Sequence, residues 1–114
     1  MDKQDEVVKP NYVLDGLEVD LVRSRVYISG QEINLTRTEY RILSYLVTNA
    51  GRVITPDQIL GKVWGEEYFG DNHIVQVSMA RLRKSLSDSG RTPRYIETRM
   101  GIGYMMKAPD SEKG

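Results

Sequence analysis

Residues 73–86, HIVQVSMARLRKSL, place groups that can read duplex DNA on one side of a helix and groups that pack on the other. Val75, Met79, Leu82 and Leu86 recur at i, i+4, i+7 and i+11, the period of one buried stripe. The opposite arc carries His73, Gln76, Val77, Ala80, Arg81 and Lys84, with Arg83 at its edge, and no acid interrupts it. Arginine pairs with guanine edges, glutamine with adenine, and a small apolar group such as Val77 can touch a thymine methyl. Ala80 lets such a helix lie close to the bases. The plainer alternative is a solvated amphipathic helix with a cationic rim. Arg91, Arg94, Arg99 and Lys107, which follow closely in sequence, favour DNA.

The totals set bounds on this reading. A chain of 114 residues, 39% apolar and 28% charged, suits one globular domain with one core. It contains no cysteine, which excludes disulfides, thiolate metal sites and cysteine nucleophiles. The polar start MDKQDEVVKP is unlike a secretory leader, and no run approaches the roughly 18 apolar residues of a membrane span. A soluble, cytoplasmic protein with no membrane partner is therefore expected. The net charge of zero hides an asymmetry: residues 1–72 hold 8 Lys/Arg against 12 Asp/Glu, and residues 73–107 hold 7 against 2.

Catalytic patterns are missing. There is no phosphate-binding glycine loop, no nucleophile elbow, and a single histidine, His73, without the companions a metal site needs. An enzyme, a cofactor and a metal are all unexpected. Glu66 and Glu67 are adjacent and point apart, so they make a poor carboxylate pair. Together with Tyr68 and Phe69 they occupy the loop GEEYFGDN, 65–72. Such a loop usually folds its aromatics onto the core; the other reading is a contact surface for a basic protein partner. Trp64, the lone tryptophan, closes the apolar stripe of the preceding helix. Its ring is expected in the core, where its N–H can still reach a phosphate.

The elements that would position these groups are legible. YVL (12–14), LEVDL (17–21), RVYIS (25–29) and QEINL (31–35) alternate apolar and polar residues between turn residues and predict a four-stranded antiparallel meander. Thr36-Arg37-Thr38-Glu39 reads as a capping box opening a helix that buries Tyr40, Leu43, Leu46 and Val47. After Gly51, a brief extended link leads to Thr55-Pro56 and a second helix that turns Ile59, Leu60, Val63 and Trp64 inward. Asp71 or Asn72 caps the third helix. RYIETRM and GYMMK then form a two-stranded hairpin. The expected class is α+β, a winged helix-turn-helix over 11–107, with a polar arm at 1–10 and a polar tail at 108–114.

LTRTEYRIL, ITPDQIL with VWG after it, the 73–86 helix with RLRKSL, and ETRMGIGY occur in an order that resembles the OmpR/PhoB-type winged-helix effector domain of bacterial two-component response regulators. The likeness runs from about Tyr12 to Met106. It implies sequence-specific DNA binding for transcription control, with helix 73–87 in the major groove and the 95–106 wing on the minor groove and backbone. It implies that His73, Gln76, Val77 and Arg81 face bases, and that Trp64, Ser78, Arg83, Lys84, Thr98 and Tyr104 lie along phosphates. The 65–72 loop, with Glu66, Glu67, Tyr68 and Phe69, corresponds to a loop that touches RNA polymerase, often through a sigma subunit. Relatives bind direct repeats as head-to-tail dimers and are monomeric when free. A receiver domain normally accompanies the module, and the eleven residues ahead of Tyr12 are too few for one.

Three positions depart from the family pattern. Met100 stands where an arginine usually enters the minor groove, and Arg99 sits one place earlier. A one-residue displacement along a strand reverses the face, so either Arg99 reaches a phosphate or the wing twists to compensate, and minor-groove reading is expected to be weak. Ser78 replaces a larger histidine or aromatic residue, and His73 replaces an arginine. The rival function is a winged helix used for protein contact alone.

Overall fold

The computed structural model describes residues 10–109. The arm at 1–10 and the tail from 108 lie outside that range, apart from Pro10, Ala108 and Pro109.

Four short strands, β1 (Tyr12–Leu14), β2 (Leu17–Asp20), β3 (Arg25–Ile28) and β4 (Gln31–Ile33), form an antiparallel meander in sequence order. Asp15-Gly16 and Ser29-Gly30 take positive φ at both residues, as two-residue hairpin turns require. The register aligns Tyr12, Val19, Val26 and Ile33 across the sheet on its inner face. Asp20 organises the β2–β3 connection, its Oδ1 accepting from the amides of Val22 and Arg23 at 3.1 Å each.

The Arg23 amide, helped by its guanidinium and the Val22 amide, holds the Asp20 carboxyl below the usual carboxylate range against the opposing effect of burial. The stabilisation this gives is complete above the unfolded value of about 4 and is lost as pH falls through the lower folded value. Asp20→Asn is expected to flatten the acid limb of a stability-versus-pH curve from urea titrations below about pH 4. An acid limb as steep as that of the native chain would exclude this role.

The helices follow from their caps. Thr36 Oγ1 accepts from the Glu39 amide, and Glu39 Oε1 accepts from the Thr36 amide at 3.0 Å, which closes the box on α1 (Arg37–Thr48). Thr55 and Gln58 do the same for α2 (Pro56–Val63), with Pro56 in its first turn. α3 (Asn72–Leu86) starts one residue earlier than its apolar period suggests, and Asp71 occupies the cap position without a side-chain cap bond. Its four stripe residues, Val75, Met79, Leu82 and Leu86, are all buried as the spacing predicts.

In α1 the buried set is Ile42, Leu43, Leu46 and Val47, whereas Tyr40 is only half-buried. Trp64 likewise sits half-buried at the end of α2, packed on the edge of the core rather than inside it. Glu39 also accepts from Ser85 Oγ at 3.3 Å, so the capping residue of α1 reaches α3 as well.

The chain closes with β6 (Ile96–Arg99) and β7 (Gly103–Met106). The two-stranded hairpin expected from the sequence is present, and the brief extended link at 52–54 adds a third strand to it. Val53–Ile54 is a strand, β5, which pairs with β7 to give a three-stranded sheet of order β5-β7-β6. Two residues are too few to show an alternation, so only the pairing reveals them. Two tyrosine hydroxyls tie this sheet to the meander. Tyr12 donates to the Lys107 carbonyl at 2.6 Å, and buried Tyr95 donates to the Asp15 carbonyl at 2.7 Å.

Candidate nucleic-acid interface

α3 packs its stripe on α1 and α2 and leaves His73, Gln76, Ala80, Arg81 and Lys84 exposed on the far side. Val77 and Ser78 are half-buried between the two faces. Arg81 and Lys84 have no ion-pair partner among the described residues. A cationic arc without internal neutralisation is what a polyanionic duplex would meet.

The wing is fixed to this helix through Arg83. Its Nη2 donates to the Ile96 carbonyl at 2.7 Å and to Thr98 Oγ1 at 2.9 Å, and its guanidinium stands 5.8 Å from the centre of the Tyr104 ring. Its Nε is buried without a partner, and burial lowers its pKa below the ordinary guanidinium value. A guanidinium so placed still carries its charge at neutral pH. Arg83 therefore brings Thr98 and Tyr104, directly opposed across β6 and β7, onto one face with α3.

Asp88, just beyond α3, performs a matching service that sequence reasoning missed. Its carboxylate accepts from three consecutive amides, Arg94 at 2.6 Å, Tyr95 at 3.2 Å and Ile96 at 2.9 Å, and so sets where β6 begins. An aspartate six to eight residues ahead of a strand gives no local pattern that would mark it. Of the four cations flanking the hairpin, three have partners within the protein. Arg94 lies 3.4 Å from Asp15, Arg99 lies 3.2 Å from Glu97, and Lys107 donates to the Pro93 carbonyl at 2.7 Å. Arg99 points to the sheet face opposite Thr98, toward Met105, as the displaced register implies. Met100 occupies the turn and is 86% exposed.

The 65–72 loop contains a single turn of 3-10 helix, Glu66–Tyr68, with Glu66 and Glu67 exposed. Its aromatics do not fold onto the core as expected. Tyr68 and Phe69 are both exposed, although one edge of the Phe69 ring lies against the bare backbone of Gly61 in α2. The Gly70 amide donates to Asp57 Oδ1 at 2.9 Å, which pins the loop to α2. That bond holds the loop along the outside of α2, which leaves both rings at the surface.

Residues 30–106 match the family described as transcriptional regulatory protein, C terminal. An uncharacterized transcriptional regulatory protein of Bacillus subtilis (strain 168), YcbL, is 40% identical over 90 residues, which are 79% of this chain and 40% of that protein. The chain thus spans well under half the length of this relative. The DNA-binding domain of Klebsiella pneumoniae RstA, solved in complex with the RstA box, superposes with a TM-score of 0.77 at 30% identity, over 83% of this chain and 94% of that one. The response regulator DrrB of Thermotoga maritima, an OmpR/PhoB homolog, gives 0.76 at 34% identity, over 85% of this chain and 44% of that one. No helix among the described residues is long and apolar enough to cross a membrane.

Proposed function

This chain belongs to the family of transcriptional regulatory protein C-terminal domains, the OmpR/PhoB-type winged-helix effector domains, and from that premise we propose how it engages DNA. α3 enters the major groove with His73, Gln76, Val77 and Arg81 toward the bases. Trp64, Ser78, Lys84, Thr98 and Tyr104 follow the phosphates. Arg83 adds its charge there while holding the wing in line. The observation that carries this reading is the acid-free, solvent-facing arc of α3 directly opposite its buried stripe, beside a wing that Arg83 locks to it.

In the cell the 11–107 domain would act in the bacterial cytoplasm as the output module of a longer regulator with a receiver domain. It would be monomeric when free and head-to-tail on direct repeats. The exposed Glu66, Glu67, Tyr68 and Phe69 on a loop pinned to α2 suit RNA polymerase, by way of a sigma subunit, as the contact.

Selection from a random duplex pool followed by salt titration tests the central claim. With Arg83 and Lys84 of each of two head-to-tail copies on phosphates, about four cations in all, log K should fall against log salt with a slope of about −4. Arg81→Ala should lose about 1–3 kcal/mol on the selected site and much less on unrelated duplex. A shallow slope with no preference among duplexes would instead assign the domain to protein contact.

A further inference from the structure

The wing tip carries two bare apolar side chains beside the arc of α3. Met100 is 86% exposed and Ile102 59% exposed, on a turn closed by the Ile102 amide donating to the Arg99 carbonyl at 2.9 Å. They form one wall of an open cleft whose other wall holds Asn72 and Gln76 from the start of α3. Arg99 also lines this cleft, but its guanidinium is held by Glu97 and lies toward Met105 on the other sheet face. The end of the hairpin is therefore apolar where the surfaces around it are polar.

The tip is also rigidly presented. Gly103, at the start of β7, packs against the carbonyl of Ile54, which anchors the hairpin base to β5.

Resting on the DNA-binding reading above, we propose that Met100 and Ile102 form an apolar wedge that enters the minor groove beside the major-groove site and partly unstacks one base step. Methionine and isoleucine are among the side chains that insert between base steps in this way. A thioether chain with three rotatable bonds adapts to a narrow slot, whereas an apolar tip gains nothing from the phosphate field. Unstacking is easiest at TA and CA/TG steps and hardest in stiff A-tracts. The wing thus selects the flank of the site by deformability, with neither hydrogen bonds nor charge.

The test uses duplexes recovered by the intact chain from a random pool. The flank is rebuilt either with a TA step or as an A-tract and labelled at successive adenines with 2-aminopurine, whose fluorescence rises on unstacking. The native chain should prefer the flexible flank by about tenfold and brighten one label position. The double variant Met100→Ala, Ile102→Ala should lose the preference and the brightening while keeping the salt slope. Met100→Arg should steepen that slope by about one. Both positions are exposed, so folding is expected to be untouched, and circular dichroism checks this.

If the double variant binds both flanks as the native chain does, with no brightening in either, the wedge is wrong although DNA binding stands. If its loss appears only on two-site duplexes, as lost cooperativity, the tip contacts a neighbouring copy and the wedge is again wrong. Recovery of no duplex at all would overturn the DNA-binding reading itself and the wedge with it.

Discussion

Asp88→Ala is expected to destabilise the domain by about 3–4 kcal/mol, because it leaves three backbone donors without the acceptor that gathers them. The donors belong to Arg94, Tyr95 and Ile96, and the last two residues are fully buried, so water reaches their amides poorly. Each orphaned buried donor accounts for about 1–3 kcal/mol, and partial hydration of the more exposed Arg94 amide keeps the total below the sum. Asp88→Asn should lose about half as much, since its remaining oxygen can still serve the Tyr95 and Ile96 pair. Urea unfolding gives the magnitude. Amide exchange locates it, with protection falling first at Tyr95 and Ile96. DNA affinity is expected to fall as well, because Thr98 and Tyr104 are carried on the hairpin that Asp88 starts. Uniform loss of protection across α1 and α3, with the hairpin no worse than the rest, would show that the clasp does not position the wing.

Gly103→Ala is expected to be comparably damaging, by about 3 kcal/mol, through overpacking against backbone that cannot yield easily. A Cβ at residue 103 would overlap the Ile54 carbonyl and stand 3.0 Å from the Cα of Thr55, the residue that caps α2. Relief of the clash must either break the β5–β7 pairing or shift the start of α2. Gly101 supplies the control two residues away. It has φ of 77° and open space around it, so Gly101→Ala meets only the left-handed backbone penalty of about 1–2 kcal/mol. Thermal or urea denaturation of both variants separates close approach from conformational freedom. Equal losses at the two positions would remove the argument from packing.

Both predictions concern contacts that hold the wing to the helices, and this is where the sequence is least informative. The stripe of α3, the Thr36–Glu39 capping box, the Thr55-Pro56 helix start and the meander turns are written locally. Each needs only residues within one to four positions of one another, so period and turn chemistry suffice to read them. The exposed arc of α3 follows by subtraction once its stripe is known. β5 does not follow, because two residues carry no period and become a strand only through β7. The aromatic residues of the 65–72 loop are equally silent, since their fate depends on how the loop is held along α2.

The cations divide along the same line. Sequence alone determined that positive charge gathers in the last third of the chain and that one helix face there is free of acid. Only the tertiary structure decided which of those charges remain available to a ligand. Among the described residues Arg81 and Lys84 have no ion-pair partner, and both lie exposed on the outer side of α3. Arg83, Arg94, Arg99 and Lys107 are drawn to a strand carbonyl, a hairpin aspartate, a neighbouring glutamate and a proline carbonyl. A charge finds its partner by proximity in space, and Arg83 and Arg94 meet theirs only after the two sheets and α3 have packed together.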